Sequence, residues 1–213
     1  MKLESIVQNL EQKLRNKLPG PVAHQKMMPS VPNHLRFRTE AKTEAMEGSV
    51  LILLYADCGK IYLPLMRRPV YDGAHSGQIS FPGGKMEKSD NDLVDTALRE
   101  AYEEVGIKKE DVKILGTLST IYIAASNFNV LPVVAYADAR PSFLINQYEV
   151  EEIIETELLH LLDAVNIKYK EMIIGEYTLQ SPYYDVQGHV VWGATAMMIS
   201  EFLTILADAI VPD

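Results

Sequence analysis

The sequence predicts an α+β protein, a mixed sheet held between helices as an α/β/α sandwich. Three observations carry the prediction. Strand-like runs fill the middle of the chain, within residues 49–66, 112–137 and 149–187. Apolar residues recur at helical spacing before, between and after these runs, within 3–17, 81–107 and 193–210. No internal repeat or low-complexity tract interrupts the pattern. A chain of 213 residues is long enough for one domain with a sizeable core. We expect residues 1–46 to be an N-terminal helix and extended segment packing on the core, and residues 47–213 to be the main domain.

Composition narrows the function classes. The hydrophobic and charged fractions, 47% and 23%, are those of an ordinary globular protein. A formal charge of −9 argues against nucleic acid or an anionic membrane as a general partner. An anionic small-molecule substrate would need local basic groups or metal ions to overcome that field. The single cysteine, Cys58, allows no intrachain disulfide and is consistent with a reducing compartment. Residues 1–20 lack the apolar centre of a secretory signal, and no run is long and apolar enough to span a bilayer. Cytoplasm is the expected location.

In chain order, Leu3, Ile6, Val7, Leu10 and Leu14 make an amphipathic helix ended by Pro19-Gly20. Its polar face is mixed in charge, so it reads as a packing helix that covers the core or the partner subunit of a homodimer. Residues 19–46 read as irregular and extended, with Arg36 and Arg38 as solvated charges or phosphate contacts. Residues 49–56 and 61–66 form a hairpin across the turn Asp57-Cys58-Gly59-Lys60. Cys58 at its tip has no histidine nearby with which to act as a nucleophile. A short segment at 79–81 precedes the pair Gly83-Gly84. After the central helix, 112–122 and 129–137 read as strands, 149–154 as a strand, 157–162 as a short helix, and 169–179 with 182–187 as a strand pair. Residues 193–210 close the chain as a core-packed helix, and Trp192 before it reads as a core residue or an adenine-stacking one.

The stretch 81–107 carries the chemistry. Val94, Leu98, Ala101 and Val105 form an apolar stripe, and Gly106 is a helix stop. Glu100, Glu103 and Glu104 stand at i, i+3 and i+4, so they cluster on the other side. Such a surface repels itself unless a cation sits in it, and hard oxygen ligands suit Mg2+ or Mn2+. Taken alone, an R-E-x-x-E-E run is usually a solvated helix face, and a glycine pair after a strand is usually a turn. Their joint occurrence favours a site.

The run from Gly84 to Ile107 resembles the Nudix box, G-x5-E-x7-R-E-U-x-E-E-x-G-U with U apolar. Arg99, Glu100, Ala101, Glu103, Glu104, Gly106 and Ile107 match its second half. The first half departs from it: the glutamate position falls on Asp90, and eight residues rather than seven precede Arg99. That spacing resembles one subgroup, the coenzyme A pyrophosphatases. Leu65, Arg67-Arg68, Gly77 and Phe81-Pro82-Gly83-Gly84 match the subgroup's upstream marker, while Met66, Pro69 and Gly73 depart from it. His75, Gly77 and Gln78 look like its H-x-G-Q, and Lys85 and the run from Thr96 to Glu100 also look like it. Leu18-Pro19-Gly20 and the run from Trp192 to Ala196 resemble its flanking segments.

The resemblance implies a Nudix fold over 47–213 and metal-dependent hydrolysis of the diphosphate of coenzyme A or acyl-CoA. The implied products are 3′,5′-ADP and (acyl-)4′-phosphopantetheine. Glu100, Glu103 and Glu104 are implied metal ligands, with a backbone carbonyl of the glycine pair, taken as Gly84, as a further one. Arg99 is expected to orient a glutamate by a bidentate pair. Arg67, Arg68, His75, Gln78 and Lys85 are candidate substrate contacts. Glu149, Glu151 and Glu152 fall where many Nudix enzymes place a late carboxylate that binds metal or acts as general base, and spacing does not choose among them. Two rivals remain open: the same chemistry on ADP-ribose or a dinucleotide, and a nucleotide-sensing module without turnover.

Overall fold

The computed structural model describes residues 2–30, 44–70, 72, 75–174 and 177–210. Its centre is the long strand β1 (Met46–Asp57). Leu51 to Tyr55 of this strand are all completely buried. Successive side chains of a strand point to opposite faces. Leu51, Leu53 and Tyr55 accordingly join one core cluster, and Ile52 and Leu54 join the other. A strand buried on both faces needs the unbroken apolar run that SVLILLYA supplies.

β1 pairs antiparallel with β2 (Lys60–Arg67) through its last residues and parallel with β7 (Phe128–Tyr136) through its first nine. The sheet order is β3-β2-β1-β7-β5, with β3 at Ile79–Ser80 and β5 at Lys113–Thr117. β4 (Gly83–Lys85) pairs with β1, β6 (Ile121–Ile123) with β7, and β8 (Glu152–Glu157) with β2. One face is covered by α3 (Leu93–Val105), whose Ala97, Leu98, Ala101 and Val105 pack on Leu51, Leu53, Val133 and Ala135. The other face is covered by α1 (Leu3–Leu14) and α5 (Gly193–Ile210). This is the mixed sheet between helices that the periodicities predict. The apolar face of α1 packs within the chain, against α5 and β5. A second sheet, β11-β10-β9, lies after the short helix α4 (Leu158–Leu162).

Several expectations need correction. Residues 21–27 are not extended: Pro21–His24 forms the short helix α2 and Gln25–Met27 a 3-10 turn, burying Ala23, His24 and Met27. Proline at the first helical position suits a helix start, because its missing N–H would have no partner there. Arg36 and Arg38 lie outside the described residues. The strand expected at 112–122 is two, β5 and β6, because the ladder with β7 is interrupted over residues 118–120, where Ser119 turns to Glu201; a register shift between Ile114 and Gly116 lies within β5. The strand expected from 149 starts at Glu152, after a turn at 147–149. The hairpin expected to break near residue 180 instead joins β9 (Ile167–Ile174) to β10 (Tyr177–Val186), and β11 (His189–Val191) was not anticipated. Pro182 lies inside β10, and β11 pairs with β10 only over Tyr184–Val186. Pro182 thus has a neighbouring strand on one side alone, where a residue without an N–H is tolerated. Among the described residues no helix is long and apolar enough to cross a membrane.

Candidate active site

The helix α3 is built to stand at a fixed angle. The Asp92 carboxylate accepts the Asp95 N–H at 2.8 Å and caps the start. Gly106, with φ +76°, lets the chain leave in the left-handed region while Gly106 N–H and Ile107 N–H donate to the Tyr102 and Ala101 carbonyls. The hairpin end of β4 is pressed against this helix. A Cβ on Gly84 would lie 2.6 Å from the Glu100 carboxylate, so only glycine admits the carboxylate there.

Arg99 organises the site. Its Nε and Nη2 donate to the two Asp90 oxygens at 2.8 and 3.0 Å, a bidentate pair. Nη1 donates to Glu100 at 3.0 Å and to Glu103 at 2.9 Å, and Nη2 also to the Lys85 carbonyl at 2.9 Å. These five bonds use all five guanidinium donors. The expectation that Arg99 grips a glutamate with its fork is therefore corrected. The fork grips Asp90, and the glutamates each receive one bond. Asp90 is almost fully buried, and its carboxyl is held well below the usual range, first by Arg99 and also by the Glu87 N–H and the Thr96 hydroxyl. The loop before α3 has thus absorbed the altered spacing and delivers a carboxylate to the arginine.

The three glutamates are not equivalent. The Glu103 side chain is half-exposed, Glu100 is 14% exposed and Glu104 only 2%. The spacing puts all three on the side opposite the apolar stripe without telling them apart, and the structure buries Glu104. Its Oε2 accepts the Gly83 N–H at 2.8 Å, and its Oε1 lies 3.5 Å from Arg68 Nη2. Burial pushes the Glu104 carboxyl up to about 8, with Arg68 and the Gly83 N–H opposing and Glu100 and Glu149 adding to the push. Burial also raises Glu100, against Arg99, and the charges of Glu103 and Glu149 contribute.

The remaining candidates divide by strand face. Leu63 and Leu65 of β2 face α1 and α5, and Met66 faces α3. Arg67 continues the first row and Arg68 the second. Arg68 accordingly reaches Glu104 and donates to the Gly83 carbonyl at 3.0 Å. Arg67 turns away, with Nη2 2.9 Å from Glu151 and Nε 2.8 Å from Glu152, the latter a close charge pair not aligned as a hydrogen bond. Glu152 also lies 3.7 Å from His189 Nε2 on β11. Of the three late carboxylates, Glu149 is the one whose charge acts on Glu100 and Glu104. His75, at φ +67°, faces Gln78 with Nδ1 and Oε1 3.0 Å apart, and the Gln78 carbonyl accepts the Arg68 N–H. Lys85 ends β4 with an exposed side chain. Trp192 is half-buried between β11 and α5. Gly73 lies outside the described residues.

Sequence reading missed Asn146. Its N–H donates to the Glu104 carbonyl at 2.9 Å, and its own carbonyl accepts the Glu149 and Val150 N–H groups, so it fastens the Glu149 turn to α3. An asparagine opening a polar turn was the available signal.

The donor set suits a hard divalent cation: carboxylates that repel one another, two of them raised by burial, one packed directly against the Gly84 backbone. Among the described residues no three acidic, histidine or cysteine side chains already enclose an ion-sized space. Each glutamate is held by Arg99, Arg68 or the Gly83 N–H instead.

The family model of the NUDIX domain matches residues 46–178. A Nudix hydrolase, NudL, of Pectobacterium atrosepticum is 36% identical over 151 residues, covering 68% of this chain and 76% of that protein. The mitochondrial coenzyme A diphosphatase NUDT8 of Mus musculus is 36% identical over 140 residues, 63% of this chain and 65% of that protein. Among solved structures, a C. elegans Ap4A hydrolase complex matches with a TM-score of 0.50 at 19% identity, over 76% of this chain and 98% of that one. A Nudix hydrolase from M. smegmatis, RenU, matches with a TM-score of 0.54 at 14% identity, over 79% and 90%. At such identities the structural likeness speaks for the fold alone. The domain match, by contrast, spans more than half of the chain, and the protein belongs to the Nudix family of hydrolases.

Proposed function

We propose that the protein hydrolyses the diphosphate of coenzyme A or its acyl thioesters, with Mg2+ or Mn2+, to 3′,5′-ADP and 4′-phosphopantetheine or its acylated form. One observation carries the reading. Two mutually repelling carboxylates, Glu104 buried and Glu100 partly so, crowd a glycine pair at the end of a stretch, 67–84, whose sequence resembles the coenzyme A subgroup's marker. The matched mouse and human relatives, both named as coenzyme A diphosphatases, support the same substrate. Nudix hydrolases in general use divalent metal ions.

Glu100, Glu103 and Glu104 would hold the ions, with the Gly84 carbonyl as a further ligand. A divalent ion there screens the diphosphate oxygens and lowers the pKa of bound water. The other tasks fall to the chain. Arg99 orients Glu100 and Glu103, and the Gly83 N–H orients Glu104. Arg68, beside Glu104, and Lys85, next to Gly84, neutralise phosphate oxygens; His75 and Gln78, which face each other, are further substrate contacts. Arg67 is engaged by Glu151 and Glu152, and we assign it to holding the turn before β8 rather than to the substrate. Glu149 accepts the proton of the attacking water. The water oxygen bonds to one phosphorus, the bridging P–O bond breaks, and the leaving phosphate departs as an anion.

Product analysis tests the reading. Coenzyme A with Mg2+ or Mn2+ should yield 3′,5′-ADP and 4′-phosphopantetheine. The departures at Met66 and Pro69 favour, as second reading, a Nudix pyrophosphatase acting on ADP-ribose or a dinucleotide. Cleavage of coenzyme A far slower than that of ADP-ribose at equal concentration would establish it. Protein that binds these ligands but hydrolyses none of them would be a nucleotide-sensing module.

A further inference from the structure

The loop before β8 presents an aromatic side chain that neither the fold nor the site described above uses. Tyr148 is 94% exposed. It directly precedes Glu149, whose charge acts on Glu100 and Glu104. The turn that carries the ring lies against the end of the carboxylate helix, because Asn146, two residues earlier, bonds to the Glu104 carbonyl. The turn that carries it is fastened on every side. The Tyr148 N–H donates to Asn146 Oδ1 at 3.1 Å. Asn146 N–H and Leu144 N–H donate to the Glu104 and Val105 carbonyls, each at 2.9 Å. Glu151 N–H donates to the Arg67 carbonyl at 2.8 Å, and Val150 is buried in the α3-side core. An exposed ring on a mobile loop says little. An exposed ring on a pinned turn, next to the reacting groups, loses little freedom when a flat partner lies on it.

We propose that Tyr148 is the platform on which the adenine of the substrate stacks, a specificity-determining residue for nucleoside over other diphosphates. The inference rests on the reading of this site as one that takes a nucleoside diphosphate derivative. A flat ring with two side-chain torsions matches a nucleobase better than the flexible amide arm of pantetheine. Trp192, half-buried between β11 and α5, is less free to do so.

The test compares Tyr148→Ala and Tyr148→Phe with wild type. On coenzyme A, or on ADP-ribose if that is the better substrate, Tyr148→Ala should raise KM about 10-fold, as loss of one base–aromatic stack does. kcat should stay within about twofold, and Tyr148→Phe should behave as wild type, since stacking needs the ring and not the hydroxyl. Calorimetric titration with AMP and with inorganic diphosphate needs no turnover. The alanine variant should bind AMP about 10-fold more weakly and inorganic diphosphate unchanged. An unchanged KM, a phenylalanine variant as weak as alanine, equal losses for both ligands, or a wild type that does not bind AMP overturns the assignment. If wild type hydrolyses no nucleoside diphosphate derivative, the functional reading fails on its own, and the AMP titration still decides the role of Tyr148.

Discussion

Two glutamates, on helices packed against opposite faces of one sheet, are both removed from water, and their surroundings treat them in opposite ways. Glu201 of α5 is completely buried. It accepts the Gly20 N–H at 3.0 Å, the Ser119 hydroxyl at 2.7 Å and the Ser119 N–H at 3.3 Å, and lies 2.8 Å from His24 Nε2. Burial alone would push its carboxyl up, but these bonds more than offset that and hold it below the ordinary value. Glu104 of α3 receives one N–H, a more distant arginine and the repulsion of two neighbouring carboxylates, and is driven up to about 8. The first arrangement ties the N-terminal segment, the turn between β5 and β6 and the last helix together. The second disfavours the charged form and leaves the carboxyl holding its proton. Equal burial therefore serves stability in one place and penalises ionisation in the other, as expected of a site whose charged form awaits a cation.

The same isosteric change at both positions puts this contrast to the test. Glu104→Gln should lower kcat/KM on the order of 10³-fold, since metal coordination of this kind supplies several kcal/mol. The same variant should melt higher than wild type in metal-free buffer above about pH 8, where the carboxylate it replaces is charged. Equal or lower melting would show that Glu104 is as well satisfied as Glu201. Glu201→Gln should do the reverse, costing about 3 kcal/mol of stability through its unpaired donors while leaving the kcat of the folded fraction near normal. For a chain of this length that is a fall in midpoint of roughly 10 °C by calorimetry.

Arg99→Lys comes next in size. Lysine keeps the charge but lacks the fork that spans both Asp90 oxygens, so the loop and the glutamates lose their common anchor. A loss of about 10- to 100-fold in kcat/KM is expected from disturbing such a supporting group. A variant within twofold of wild type would place the ordering of Glu100 and Glu103 elsewhere.

The two glutamates should also give opposite pH slopes in metal-free protein. Glu104 is raised, so the folded state holds its proton longer. Its contribution is fully present below the ordinary value of 4.5 and is lost as pH rises towards about 8. Glu201 is lowered, so its contribution is present above 4.5 and is lost as pH falls through its depressed folded value. Midpoints measured from pH 3 to 9, scaled to this window, should fall less towards the alkaline end in Glu104→Gln and less towards the acid end in Glu201→Gln. The smallest effect belongs to the arginine pair. Arg68→Ala should lower kcat/KM by about 10-fold and Arg67→Ala by less than about threefold, in keeping with the modest worth of exposed ion pairs. Equal losses would mean that Arg67 also meets the substrate.

Most elements were legible because each has a period confined to its own residues. Val94, Leu98, Ala101 and Val105 announce α3, Gly106 its end, and the turn at Asp57-Cys58-Gly59-Lys60 the hairpin of β1 and β2. The opposite directions of Arg67 and Arg68 were also implicit in the two-residue strand period. The helix at Pro21–His24 was less visible, since four residues carry no period and it is held by Glu201, far along the chain. Asn146 escaped notice because its role is to fasten Glu149 to a helix some forty residues earlier.

Residue types and their spacing determine the chemistry on offer: carboxylates three and four apart on one helix, an arginine beside them, a glycine pair before them. They also determine the class of fold, because amphipathic periods admit few ways of burying their apolar faces. Folding settled which oxygen meets which donor. It gave the Arg99 fork to Asp90 in spite of the altered spacing, sank Glu104 while leaving Glu103 half in water, and turned Arg67 to Glu151 and Glu152. Burial and electrostatic field depend on all neighbours in space, and the neighbours that matter here come from separate strands, turns and helices that no local window of the chain contains.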